Sequence, residues 1–270
     1  MGASNPTAWQ PLTPRGVAAF AFAPLRRLLL VQFIVALGVA TGVALLCYDR
    51  YVPVIAGAIE KLPAESQVRW QRLEWHTNSP VMLAENRFLS LSVDLERSGQ
   101  LRSVAHVQFE FGRSNVVLHS LLGYVVVPYP QGWVMPANRE TLQPLWGAWL
   151  PALLAGVIGS VMCWLFASWF ALAVLYAGPL WLLGFFMNRQ LGMRGSLRLS
   201  GAALLPGALL MLAGISFYDL GVLDLVGMAF VFAMHLIVGW VYLVLGLIAL
   251  PRLPAEHAVK KNPFTPSDRK

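Results

Sequence analysis

Hydrophobic residues run in long unbroken blocks over much of this chain and alternate with polar ones over one internal stretch. The first block, 28–48, has no charged side chain and follows directly on Arg26 and Arg27. A helix needs about 20 apolar residues to cross the hydrocarbon core of a bilayer, so the block predicts a spanning helix. It exceeds the roughly 7–15 apolar residues of a cleaved leader, and its Leu-Leu-Cys-Tyr-Asp end offers no small residue for cleavage, so it is expected to stay as an anchor. The next block, 145–187, is too long for one span and short for two. Gly178-Pro179 is expected to divide it, because proline lacks an N–H and crowds the preceding turn. That places a span at 146–176 and leaves 179–187, with Trp181, Phe185 and Phe186, near the interface. Two further spans follow at 199–217 and 225–250, the third span being interrupted at Pro206.

Between the first two blocks the period changes. Ile55, Ile59 and Leu62 prolong the first helix at helical spacing, and Leu62-Pro63 should end it. Leu89, Leu91, Val93 and Leu95 then alternate with Ser90, Ser92, Asp94 and Glu96, which is the spacing of a strand with one buried face. Val107, Phe109 and Phe111 alternate with Gln108 and Glu110 in the same way. With Ser98-Gly99 as a turn between them, the two runs are expected to pair as a hairpin, flanked by strands near 68–75 and 124–127.

The predicted fold is a membrane α-helical bundle of four transmembrane helices with an inserted β-rich extracytoplasmic domain. Its parts are an N-terminal segment 1–27, a first span 28–48, the β-rich domain 49–144, a three-helix region 145–250 with a basic loop 187–198, and a tail 251–270. The N-terminal segment, with Trp9, Leu12, Val17, Phe20 and Phe22, is expected to form a short helix on the cytoplasmic membrane surface. The tail is polar, contains Pro263 and Pro266, and is expected to be disordered.

Composition supports the membrane assignment: 57% of residues are hydrophobic and 12% charged, against about 45–50% and 25% in soluble domains. Charge placement adds orientation, because short cytoplasmic loops carry excess Lys and Arg. Four spans with the N-terminus inside gather Arg15, Arg26, Arg27, Arg189, Arg194, Arg198 and Arg252 on one side. The stretch 49–144 holds nine basic and nine acidic residues, and Asp219 and Asp224 fall in the last outer turn. Both termini are therefore expected in the cytoplasm, with the chain multi-pass in a bacterial inner membrane. The net charge of +7 sits at membrane borders, so the bilayer is the expected partner and nucleic acid is not. Cys47 and Cys163 lie in apolar blocks and offer neither a disulfide framework nor metal-ligand spacing.

Few residues carry candidate chemistry. His235 is the ionisable side chain nearest the middle of a span, and such residues are functional candidates by default. No carboxylate or basic partner lies deep in any span, so a neutral histidine bonded to a hydroxyl or carbonyl is the expected state. Gly38 with Gly42, and Gly156 with Ser160, have the spacing that lets helices approach closely. His76, His106 and His119 lack chelating spacing, and no metal site is expected. The external carboxylates Glu74, Glu85, Asp94, Glu96 and Glu110 read as a solvated face balanced by nearby arginines. No nucleophile elbow, phosphate loop, zincin helix or dinucleotide fingerprint occurs, so no catalytic residue and no cofactor is assigned.

One anchor, a β-rich insert, and the basic stretch Met187-Asn-Arg-Gln-Leu-Gly-Met-Arg-Gly-Ser-Leu-Arg198 running into Leu199-Ser-Gly-Ala-Ala-Leu-Leu-Pro206 form a recognisable order of parts. It resembles uncharacterised bacterial integral membrane proteins whose C-terminal helical bundle is Yip-like. The resemblance covers about the last 120 residues and implies no catalytic residues. The expected function is that of a non-enzymatic membrane component binding a membrane or periplasmic protein through its external domain, with oligomeric state left open. Transport of a small or lipid-like solute, and a membrane enzyme acting on lipid or envelope polymer, are the alternatives. A cleft joining Glu85, Asn86 and Arg87 would favour the enzyme.

Overall fold

A computed structural model describes residues 9–132 and 134–253. Four helical stretches, Leu25–Glu60, Arg139–Phe186, Met193–Asp219 and Leu225–Ala249, are long and apolar enough to cross a membrane. The chain falls into two compact units, one of helices and one that contains the strands. The expected tail from residue 254 onward, and the first eight residues, lie outside the described residues.

The helices in chain order are α1 (Pro14–Ala19), α2 (Leu25–Leu46), α3 (Val52–Glu60), α4 (Arg139–Phe186), α5 (Met193–Ala203), α6 (Leu205–Asp219) and α7 (Leu225–Ala249); α1 and α5 belong to the helical unit, α3 to the other, and α2, α4, α6 and α7 have residues in both. Thr13 caps α1 by accepting from the Gly16 N–H at 3.0 Å. The residues of α1 do not face outward as a surface helix would: Gly16 through Phe20 are buried. An interfacial helix needs a charged face, and Arg15 is the one charged residue between Gln10 and Leu25. Small side chains pack in its place, with Val17 beside Gly246 of α7 and the Ala21 carbonyl beside Gly195 of α5.

The expected division at Gly178-Pro179 does not occur, because α4 runs unbroken for 48 residues. Proline removes one N–H from the ladder, the one that would bond the Leu175 carbonyl four residues back, and an otherwise continuous apolar helix tolerates that single loss. The Ser196 hydroxyl of α5 ties to α4 close by at a different carbonyl, that of Ala177, at 2.6 Å. The basic loop is also shorter than 187–198, since α5 begins at Met193 and carries Arg194 and Arg198 on its own turns. The break near Pro206 is present at Leu204, and Pro206 then sits in the first turn of α6, where a missing N–H costs nothing. Beyond it α6 and α7 approach closely. A Cβ on Gly207 would stand 2.5 Å from the His235 carbonyl oxygen, and one on Gly214 would stand 2.5 Å from Val231.

The second unit holds a five-stranded sheet and a three-stranded one. The larger has the order β3-β4-β5-β6-β7, with β3 (Val81–Glu85), β4 (Leu89–Val93), β5 (Val107–Phe111), β6 (Asn115–Ser120) and β7 (Gly123–Pro128). The smaller has β1 (Gln67–Arg69) between β2 (Arg72–Glu74) and β8 (Met135–Pro136). The strand expected near 68–75 is thus a tight hairpin, turning at Trp70 and Gln71 with φ of 51° and 61°. The outward prolongation of the first helix is present as α3, joined to α2 through a π-helical turn at Cys47–Tyr51.

The expected hairpin of β4 with β5 is overturned. These strands are parallel neighbours, Leu89 opposite Val107 and Val93 opposite Phe111. Their connection crosses the polar face of the sheet, and Ser90, Ser92 and Asp94 are buried beneath it rather than solvated. The turn after β4 falls at Leu95-Glu96 and not at Ser98-Gly99, which folds back on the end of the strand: the Ser98 hydroxyl and Gly99 N–H donate to Asp94 Oδ2 at 2.8 and 3.2 Å. Gln108 holds the rest, donating to the Leu101 carbonyl at 2.9 Å and accepting from the Ser103 N–H. Burial alone would raise the Asp94 carboxyl, but the bonds from Ser98, Gly99 and Glu96 hold it below the ordinary carboxylate value. The opposite face is apolar, and Leu83, Leu89, Leu91 and Val93 form a core with Val54 and Ala58 of α3.

Candidate functional site

Two features of the strand-bearing unit stand out, a polar cluster and a bare strand. The cluster gathers the turn between β3 and β4, the π-helical turn after α2, and the α6–α7 loop. Arg50 donates to the Asp219 carboxylate at 2.8 Å and to its carbonyl, and the Asn86 amide donates to the Arg50 carbonyl at 2.6 Å. The other end of the Asn86 side chain accepts from the Phe88 and Leu89 N–H groups, which fixes the turn. Arg87 reaches the Leu223 carbonyl at 3.2 Å. The Phe88 ring meets Tyr218 and His106 edge-on, and the Tyr218 hydroxyl contacts His106 Nδ1. Burial pushes the His106 imidazole below its ordinary value, the Arg87 charge adds to this, and Asp224 opposes it.

A cavity of about 250 Å³ lies here, lined by Arg50, Asn86, Arg87, Phe88 and Asp219. It brings together two of the three residues singled out for an enzyme, without Glu85 on its wall. Arg50, Asn86, Arg87 and His106 are each held by protein partners, so the arrangement acts as a clasp that closes the β3–β4 end onto helical segments. Among the described residues no group of three His, Cys, Asp or Glu side chains converges as a metal would require.

The second feature is β7. All six of its residues are exposed, with Tyr124 at 70% and Val125, Val126 and Val127 all at 43% or more. Leu121 and Leu122 at the hairpin tip are 77% and 99% exposed. β7 pairs with β6 on one side in unbroken antiparallel register and is the last strand of its sheet on the other. The Tyr129 N–H bonds to the Ser114 carbonyl, so that opposed pair turns its backbone inward. Antiparallel pairs alternate, which leaves Tyr124 and Val126 presenting N–H and C=O to the open edge. Pro128 falls in the same outward series, where an absent N–H breaks no ladder bond. One face of this edge borders a groove of about 400 Å³ lined by Arg97, Arg102, Glu110, His119, Tyr124 and Val126.

The residues expected to matter within the helices are dispersed. His235 is half-buried on α7, and its Nδ1 contacts the Phe232 carbonyl one turn earlier on the same helix. Gly38 meets Leu212 of α6 at an ordinary 3.6 Å, whereas Gly156 has open space where a Cβ would stand. The Ser160 hydroxyl bonds back to the Gly156 and Val157 carbonyls of its own helix. The closer glycine contacts, Gly207 and Gly214, are seven residues apart in sequence, a one-face helical spacing that was available to be read.

No family model matches this chain, and no curated protein or solved structure matches it.

Proposed function

We propose that the chain is a non-enzymatic component of a bacterial inner membrane, spanning it four times with both termini in the cytoplasm, and that its external sheet domain binds a protein partner by strand addition to β7. The observation that carries the reading is the fully exposed, uncharged and regularly paired β7. Such an edge is a template for an added strand, with main-chain bonds giving affinity and alternate side chains giving specificity. The groove beside it supplies the specificity element, since side chains on one face of an added strand would lie over Arg97, Arg102 and Glu110. The charge asymmetry between the arginine-rich segments and the balanced sheet domain supports the orientation.

Purification of the full chain from its native membranes in mild detergent tests this, with hydrogen exchange on the product. A strand-bound partner protects the outward amides of Tyr124 and Val126, and Val126→Lys loses both partner and protection. A monodisperse monomer with unprotected β7 amides counts against the proposal. A second reading, passage of a lipid-like solute, is favoured by a groove of about 390 Å³ in the helical unit, walled by Leu28, Trp169 and Phe170 with Gln32 and Arg198. Unchanged lipid flux after His235→Ala would sink the version of that reading that depends on His235.

A further inference from the structure

The open edge at β7 and the groove beside it are set by one register. Opposed residues of antiparallel strands project to the same face, so Tyr124 and Val126 share a face with His119 and Val117 of β6 and with Gln108 and Glu110 of β5. The connection from β4 to β5 brings two arginines to the groove on that face, and each is tied to a particular row of the sheet. Arg97 donates to the side-chain oxygen of Asn115, which stands opposite Pro128. Arg102 lies between Leu101 and Ser103, both bonded to Gln108, whose row runs through His119 to Tyr124. The two rows are four residues apart on β7, about 13 Å at the rise of a strand.

Among the described residues no carboxylate pairs with either arginine. The groove's own carboxylate, Glu110, is 14% exposed, faces His119 at 3.7 Å and lies two strands inward from the edge. The other face of β7 has no charge. There Val125 and Val127, 58% and 52% exposed, stand opposite Leu118 and Val116 and carry apolar surface out to the same edge.

We infer that the strand added to β7 is amphipathic, with two carboxylate side chains four residues apart on the groove face, at Arg102 and Arg97, and apolar side chains between them on the face of Val125 and Val127. The inference rests on the strand addition proposed above and names the chemistry of the partner. Side chains of a strand alternate between faces, so a single segment meets both surfaces at once. Docking it takes water away from the two guanidinium groups, and a carboxylate replaces that water where a neutral side chain would not. A lysine in either row would meet like charge.

The test uses the full chain in mild detergent and three end-capped, dye-labelled peptides: Thr-Val-Glu-Val-Thr-Val-Glu-Val-Thr, and the same sequence with Gln or with Lys at both Glu positions. Fluorescence anisotropy reads affinity, and hydrogen exchange reads the outward amides of Tyr124 and Val126. The Glu peptide should protect both amides and bind about tenfold tighter than the Gln peptide, with the Lys peptide weakest. Arg102→Gln, at an exposed position, should reduce the preference for Glu over Gln to about threefold, and Arg97→Gln added to it should abolish the preference while the Gln peptide binds as before. Equal binding of the Glu and Gln peptides with both amides protected overturns the acidic partner and leaves strand addition standing. If no peptide protects those amides, strand addition itself fails and this inference fails with it. A preference for Glu that survives both substitutions overturns the assignment to these arginines and points to the net positive charge of the whole chain. Protection of the same amides by phosphatidylglycerol nanodiscs without peptide overturns it in favour of a lipid surface.

Discussion

The two edges of the five-stranded sheet are treated in opposite ways. β3 carries a register shift between Met82 and Ala84, ends in Glu85, packs under α3, and is followed by the Asn86–Phe88 turn held in the clasp. A bulge, a terminal charge and a covering helix are the usual means by which an edge strand is kept from pairing. β7 has regular register, no charge and, among the described residues, no cover, and its tip is Leu-Leu rather than the polar turn a solvent-facing hairpin favours. One edge is closed by the chain itself, and the other is open among the described residues. The open edge is thus a local property of β7 and not a looseness shared by the whole sheet.

The comparison breaks hardest if the covered edge is uncovered. Ala58→Glu puts a charge in the contact between α3 and the sheet core, and should cost about 3 kcal/mol. Thermal unfolding should show the loss, and the variant should aggregate through β3 as well as β7. The next effect comes from closing the open edge. Val126→Lys places a charge at an outward position of β7 and should weaken partner binding at least about tenfold, or 1.4 kcal/mol, in detergent-phase titration. Its melting temperature should stay at the wild-type value, because β6 keeps all of its ladder bonds. Leu122→Ser tests the tip alone. It should weaken the same titration about threefold and raise solubility, since it removes exposed apolar surface from one end of the site.

The smallest effect separates the two edges by pH. His106 has a lowered imidazole value in the folded protein, so the unfolded chain takes up a proton first as pH falls. The stability from the neutral His106–Tyr218 contact is present above the ordinary histidine value of about 6.5 and is lost as pH falls through the lowered folded value. Hydrogen exchange at the β3–β4 turn should quicken across that acid range while β7 stays unchanged, and His106→Phe should abolish the pH dependence. Quickening at both edges alike would show that the clasp does not act on the β3 end alone.

The sequence reading carried the helices well and the sheet only in part. Four helices long and apolar enough to cross a membrane, the continuation of the first one as α3 and the break ahead of Pro206 follow from runs and spacings that are local to each segment. Pro179 misled because one missing donor is a local loss, and the 48-residue helix on both sides of it keeps the rest of its ladder. The alternation at 89–95 identified β4, but Ser90, Ser92 and Asp94 looked solvated. Their burial depends on the long connection folding over them, and that is a tertiary event. The valines at 125–127 pose the reverse problem. Such a run reads as core, and it lies bare because, among the described residues, no further strand pairs beyond it. The clasp was half visible through Asn86 and Arg87, while its partners Arg50, Tyr218 and Asp219 are distant in sequence and gave no periodic signal.

The helical joints of the sheet domain bear on how a bound partner would be felt. Between Leu46 and Val52 the backbone stays helical, and on the other side Asn138 leads straight into α4. Both ends of the strand-bearing stretch are therefore backbone that is already ordered, and a strand captured on β7 would lose no entropy to the ordering of a linker at either of them.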